Sequence, residues 1–329
     1  MESVLKKVSV VMCTYNGESF LREQLETVVH QTYPLYELII QDDNSTDETM
    51  NIIKEYEQKY SFVKVYNNEG EHGVNGNFFS AFRRATGEYI AVCDQDDIWE
   101  LNKIEQQVEN IGEKLMCAHL TKPFSGDGSS VYFDARHPNV GLLRTIYRPE
   151  IAGHSMLFRR DLLEKIPFDK ELLKTRMYDV VLSLVAGAFE SIVYLPQSLV
   201  NHRRYSTAAT FTSVKDIPRP TLGNGVYMLW WSLRNYRKIK QLSRPNYENI
   251  RQFLEALPTD SFSKKEGLRM LNLQLSDRWI DFLRFQRFCI RHRHEIFHTQ
   301  KGGILQWLRA ALYPILSSYN QRFLLKGKP

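Results

Sequence analysis

An apolar run, Val8-Ser9-Val10-Val11-Met12-Cys13, stops at Thr14-Tyr15-Asn16-Gly17 and gives way to Phe20, Leu21, Leu25, Val28 and Val29 at helical spacing. That is strand, loop, helix. The unit returns with Leu38-Ile39-Ile40, which stops at Asp42-Asp43-Asn44-Ser45. Ser45 and Glu48 then stand at capping-box spacing ahead of a helix through Met50, Ile52, Ile53 and Tyr56. Val63, Val65 and Tyr66 predict a third strand and Asn77 to Ala85 a third helix. Tyr89 to Cys93 predicts a fourth strand running straight into Asp94-Gln95-Asp96-Asp97. Alternating strands and helices predict an α/β fold, a mostly parallel Rossmann-like sheet with helices on both faces.

In such sheets ligands bind beyond the carboxyl ends of the strands. Thr14 to Gly17, Asp42 to Ser45 and Asp94 to Asp97 all occupy that position, so three loops are expected to converge on one crevice. Taken singly, the first two read as a plain turn and a plain helix cap. Their shared location argues for a site.

After about residue 110 the pattern loosens, with Gly126-Asp127-Gly128-Ser129-Ser130 expected as a flexible loop and Ile192 to Leu195 as a further strand. From Pro218-Arg219-Pro220 the chain turns helical, basic and aromatic. It carries Trp230-Trp231, an amphipathic stretch from Leu268 to Ile290, and a last one from Ile304 to Leu316 broken at Pro314. A boundary near residue 218 therefore divides a catalytic-looking unit, 1–217, from a helical region, 218–329.

Composition adds that 329 residues, 43% hydrophobic and 25% charged, suffice for a globular fold with a full core. Cys13, Cys93, Cys117 and Cys289 are scattered with no CxxC spacing, which fits a reducing cytoplasm and argues against zinc. A secretory leader and a run of about 18 apolar residues are both missing, so neither export by that route nor a membrane span is expected. The net charge of +5 hides an asymmetry: residues 220–329 carry 19 Lys and Arg against 7 Asp and Glu. Such a basic, aromatic region suits an anionic membrane surface or a second copy of the chain, at the inner face of the cytoplasmic membrane. It carries no recognisable nucleic-acid module, so no nucleic-acid partner is expected.

Three carboxylates within four residues repel one another unless a cation or strong donors compensate them. Oxygen ligands suit Mg²⁺ or Mn²⁺, which bind through one or two carboxylates plus substrate phosphates. The alternative is a solvated acidic turn capping a helix that starts near Ile98-Trp99.

The ordered set Val8 to Asn16, Gln41-Asp42-Asp43-Asn44-Ser45-Thr46-Asp47, Gly87-Glu88-Tyr89-Ile90 and Asp94-Gln95-Asp96-Asp97-Ile98-Trp99 resembles the inverting family 2 glycosyltransferases. It is especially similar to their bacterial rhamnosyltransferase-like branch, which builds surface polysaccharides. The likeness covers roughly residues 5–205. It implies a GT-A fold, a UDP- or dTDP-sugar donor, Mn²⁺ or Mg²⁺, single displacement at the anomeric carbon, and a glycan or lipid-linked glycan acceptor. Carried over by position, it implies that Thr14, Tyr15 and Asn16 line the base and ribose pocket and that Asp43 accepts from the pyrimidine imide. Asp96 faces the ribose or the metal's water shell, Asp97 is the direct metal ligand, and Asp94 is a further candidate. Asn77 lies in a loop closing over the donor.

Asp179, in Tyr178-Asp179-Val180-Val181, matches the family segment that supplies the general base, although the usual His-Asp or Trp-Trp neighbours are replaced. A carboxylate at a helix start is equally an ordinary cap. His154 in Ala152-Gly153-His154-Ser155 matches the acceptor side. His202, Arg203 and Arg204 stand where the family shows a basic loop on the diphosphate, which Arg suits by its forked donors. Two alternatives compete: a nucleotidyltransferase of similar fold, disfavoured by the acidic Tyr15-Asn16-Gly17-Glu18, and a non-catalytic nucleotide or glycan-binding module.

Overall fold

The computed structural model describes residues 5–128, 131–133, 138–205, 222–297 and 303–325. Ser129-Ser130 and the Pro218-Arg219-Pro220 boundary lie outside the described residues. β1 (Val8–Thr14), β2 (Glu37–Asp42) and β4 (Tyr89–Cys93) are the predicted apolar runs, and almost every residue in them is buried. Strands covered on both faces need no polar alternation, which is why their sequences read as continuous hydrophobic runs. With β3 (Val63–Asn67) they form a parallel block in the order β3-β2-β1-β4.

The rest of the sheet is mixed. β5 (Ile98–Trp99), β6 (Met116–Ser125), β7 (Leu157–Arg159) and β8 (Ile192–Arg204) extend it in the order β4-β7-β6-β8-β5. β7 is antiparallel to both neighbours, β6 and β8 are parallel, and β5 runs antiparallel to β8. Ile98-Trp99 is thus a short strand, and the helix expected there begins only at Lys103. β8 is far longer than the predicted Ile192–Leu195. It carries His202, Arg203 and Arg204 on a strand where a loop was expected.

Side-chain alternation along β1 assigns the two faces. Val8, Val10 and Met12 join a core with α1 (Leu21–Val29), α2 (Thr49–Lys59) and α4 (Lys103–Ile111). Val11 faces the other core, with α3 (Val74–Arg84), α5 (Leu142–Tyr147) and α7 (Tyr178–Ala188). α6 (Leu172–Thr175) is a single turn ahead of α7. α2 begins at Thr49, whose N–H donates to Asp47 Oδ1 at 3.1 Å, because the Ser45 hydroxyl is used elsewhere, accepting from the Asn16 N–H at 2.8 Å and donating to Asp42 at 2.6 Å.

The C-terminal region is helical: α8 (Leu222–Ala256), α9 (Phe262–Leu275), α10 (Trp279–Arg291), α11 (Arg293–Ile296) and α12 (Ile304–Asn320). The single stretch expected over Leu268 to Ile290 is two helices, broken where the Ser276 hydroxyl donates to Asp281 at 2.8 Å. α12 runs through Pro314. Proline removes one helical N–H donor, and Gln286 donates to the Ala311 carbonyl at 2.7 Å in the disturbed turn. Tyr247, Phe253, Leu271, Phe285 and Phe297 belong to the same core as α5 and α7, so these helices extend one face of the sheet.

Candidate active site

The loops after β1 and β2 are knitted together by their own polar groups. Asn16 and Asn44 both take left-handed backbone (φ 46° and 65°), which asparagine tolerates better than most residues. The Asn16 N–H donates to Ser45 Oγ at 2.8 Å, and the Thr46 N–H donates to Asn16 Oδ1 at 2.9 Å. The Thr14 hydroxyl donates to Asp42 Oδ1 at 2.7 Å. Asp43 accepts from Asn68 Nδ2, His72 Nδ1 and the Gly73 N–H at 2.7 to 2.8 Å. Burial would raise its pKa, but these donors more than offset that and hold it below the usual range. The Tyr15 ring projects outward, 58% exposed.

The expected convergence of three loops is present, and a residue not singled out from the sequence supplies the third tie. Gln95 accepts from the Tyr15 N–H at 2.9 Å and donates to the Tyr15 carbonyl at 3.1 Å. A β-carbon on Gly17 would lie 2.4 Å from the same amide, so glycine is what lets the two loops close. Asn77 is not in a loop. It sits in the first turn of α3, buried, accepting from Gln41 Nε2 at 2.9 Å, because its amide satisfies a polar side chain under the sheet.

The three carboxylates go separate ways. Asp97 is fully buried, and its Oδ1 accepts from His202 Nδ1 at 2.9 Å and from the Arg203 N–H at 3.0 Å. Asp94 accepts from His154 Nδ1 at 3.1 Å, and the His154 and His202 rings stack with centroids 4.4 Å apart. Burial opposes ionisation of Asp97, yet His154 and His202 hold its pKa down. The carboxylates of Asp97 and Asp94 in turn raise that of His154 against its own burial. Asp96 accepts from the Tyr205 hydroxyl at 2.7 Å, and burial plus repulsion from Asp94 and Asp97 push it up to about 6.

Asp97, His154 and His202 offer ligand atoms all within 4.8 Å of one another. Asp97 Oδ2 and His154 Nε2 are buried without a hydrogen-bond partner, as donor atoms awaiting an ion would be. The sequence grouped Asp97 with Asp94 and Asp96, whereas the fold groups it with two imidazoles. Arg203 does not face the crevice as expected for a diphosphate contact. Its guanidinium lies between the Phe20 and Phe124 rings, at 4.4 and 4.6 Å, and donates to Glu23 and to the Asp96 carbonyl. It pins the acidic turn to α1 and β6. Arg204 donates to His202 Nε2 at 3.3 Å.

Asp179 opens α7, half-buried, and accepts the Val180 N–H at 2.7 Å. Burial pushes it up to about 6, with a further rise from Asp94 and a counteracting pull from His154, so it shares an electrostatic environment with the metal-sized cluster. Its neighbour Tyr178 packs against Phe78, and its hydroxyl lies over Gly153, where a β-carbon would sit 1.9 Å away. Beside the β1 loop and the acidic turn, a cavity of ≈ 330 Å³ is lined by Asn16, Gly17, Phe20, Gln95, Asp127 and Tyr205, among others.

Residues 9–167 match the family model described as "Glycosyl transferase family 2". The chain is 38% identical over 101 residues to Escherichia coli WfgD, "UDP-Glc:alpha-D-GlcNAc-diphosphoundecaprenol beta-1,3-glucosyltransferase", covering 31% of this chain and 39% of that one. It spans about half the length of the curated relatives it matches. Among solved structures, S. aureus TarS 1-349 in complex with UDP-GlcNAc superposes with a TM-score of 0.55 at 16% identity, covering 97% of this chain and 91% of that one. The mannosyltransferase PcManGT from Pyrobaculum calidifontis, in complex with GDP-Man and Mn²⁺, gives 0.51 at 15% identity, covering 99% and 89%.

Proposed function

We propose that the chain, whose residues 9–167 match glycosyl transferase family 2 and which has the GT-A fold with a C-terminal helical region, is a metal-dependent, inverting hexosyltransferase of that family. Its donor is a UDP- or dTDP-sugar, rhamnose or another hexose, and its acceptor is a glycan or lipid-linked glycan of bacterial surface polysaccharide synthesis. The carrying observation is the meeting of Asp97, His154 and His202, whose ligand atoms all lie within 4.8 Å of one another at the acidic turn after β4. Buried Asp97 stays ionised between two imidazoles, and Asp179 is pushed up to about 6. The acceptor in WfgD's name, alpha-D-GlcNAc-diphosphoundecaprenol, is lipid-linked, which supports the second acceptor class.

Asp97 with His154 and His202 would hold the ion. Its chemistry there is neutralisation of the donor diphosphate. Two imidazoles beside one carboxylate favour Mn²⁺ over Mg²⁺, which prefers oxygen alone, and PcManGT is solved with Mn²⁺. The exposed Tyr15 ring offers a stacking face for the base, and Thr14, Asn16, Asp43 and Asp96 border the same loops. Asp179 takes the proton from the acceptor hydroxyl as its oxygen bonds to the anomeric carbon, while the bond from that carbon to the diphosphate breaks on the opposite face.

Thermal unfolding with UDP-, dTDP- and GDP-sugars, with and without Mn²⁺, tests the donor class. Specific binding raises the melting temperature, by about 2.7 kcal/mol of stability at a hundredfold excess over Kd. A chain that no nucleotide sugar stabilises would sink the reading. A chain stabilised by sugars but inactive on every glycan acceptor would favour the binding-module alternative.

A further inference from the structure

Among the described residues, the C-terminal helices leave an aromatic face uncovered. On the first turns of α8, Val226, Trp230 and Leu233 recur at helical spacing and are 70%, 54% and 58% exposed, with Tyr227 beside them. The C-terminal end of α12 meets this face: Tyr319 packs edge-on against Trp231 and Tyr227, and Phe323 follows, 63% exposed. Apolar side chains presented together on a surface mark a contact with something.

Charge identifies the occupant. From residue 222 to residue 247 the sequence has five Lys and Arg and no Asp or Glu, and no Asp or Glu follows Glu295. Arg234, Arg237 and Lys238 are exposed one or two turns beyond Trp230. The Arg234 guanidinium stands 5.6 Å from the Trp230 ring and that of Arg322 4.5 Å from the Tyr319 ring, so cations rim the apolar patch. Asp277 is engaged by Lys240 and Arg244 on the next turns. Aromatic and aliphatic groups ringed by cations, free of carboxylates, match the interface of an anionic bilayer, where rings sit at headgroup depth and each cation adds attraction.

We propose that this face of α8, with the end of α12, docks the protein on an anionic lipid surface. The same helix contacts the segment that leads into α7. Arg176, three residues before Asp179, donates to Asn246 Oδ1 at 2.5 Å. Sixteen residues along α8 place Trp230 about 24 Å from that contact. The inference is separate from the sugar-transfer reading, because docking requires neither donor nor acceptor.

Sedimentation of the full chain with phosphatidylcholine vesicles, with and without phosphatidylglycerol, tests it. The chain is expected to bind the anionic vesicles and to release them in high salt. Trp230→Ala with Leu233→Ala, and separately Arg234→Ala with Arg237→Ala, are each expected to weaken binding about tenfold or more, from roughly 1 kcal/mol per cation and a comparable loss per buried apolar group. Circular dichroism unchanged from wild type establishes that the variants are folded. Equal binding by the variants, no preference for phosphatidylglycerol, or a dimer in sedimentation equilibrium that Trp230→Ala with Leu233→Ala dissociates would each overturn the proposal.

Discussion

Asp179 and Asp97 differ in what surrounds them, and each difference has a measurable consequence. Asp179 must be ionised to accept a proton, and burial holds it up to about 6. kcat/KM is therefore expected to fall about tenfold per pH unit below that value and to level off above it. Asp179→Asn should remove about two to four orders of magnitude of turnover, the usual range for a general base, while leaving the Mn²⁺- and sugar-dependent thermal shift intact. Unchanged turnover would end its assignment. For Asp97, the raised proton affinity of His154 means that an ion entering the cluster displaces a proton. Mn²⁺ affinity should drop as pH is lowered, as followed by titration calorimetry, and Asp97→Asn should abolish it. Asp97 was legible because a strand end marks it, and Asp179 only through the family resemblance. His154 and His202 were read toward acceptor and diphosphate, and their place beside Asp94 and Asp97 was not legible, since they lie 60 and 105 residues along the chain from those carboxylates.

At the scale of elements, strand ends are fastened by single polar side chains. Glu37 at the start of β2 is fully buried. It accepts from the Ser9 hydroxyl, Lys64 Nζ and the Thr86 N–H and hydroxyl at 2.6 to 2.9 Å, joining β1, β3 and the turn before β4. Burial would raise its pKa, but these donors bring it down from 4.5 to about 2. A folded-state value below the unfolded one stabilises the protein above the unfolded value, and that contribution disappears as pH falls through the folded one. The contribution is on the order of 3 kcal/mol at most, and less because Lys64 is half exposed. Acid unfolding of Glu37→Gln should therefore lose the part of the wild-type pH dependence that lies between 4.5 and about 2. Gly153→Ala is expected to push Tyr178 off its seat, destabilising the fold by about 1–3 kcal/mol in denaturant titration and lowering kcat with it. The sequence misplaced elements where side chains overrode local pattern. Asn16 and Asp42 engaged Ser45 ahead of α2, Ser276 split the last long amphipathic stretch, and α12 continued through Pro314. Strands buried on both faces were read correctly because little but hydrophobicity decides them.

Across the whole molecule, the change of composition near residue 218 does not coincide with a gap in the core. Leu142 on α5 lies under Gly267 of α9, where an added β-carbon would be 2.8 Å from its side chain. A chain cut to residues 1–217 would bare this surface at roughly 1.5–3 kcal/mol for each large apolar side chain uncovered. It is expected to aggregate or to bind a hydrophobic dye, and a monodisperse, cooperatively melting fragment would show that the helices are dispensable. The placement of the Asp97 ligands bears on engineering. The family model ends at residue 167, yet His202 and the Arg203 N–H reach Asp97 from β8, and Tyr205 reaches Asp96. A chimera that exchanges only residues 9–167 with a relative pairs one protein's acidic turn with another's closing strand, so donor preference is transplantable only as a cassette cut beyond Tyr205.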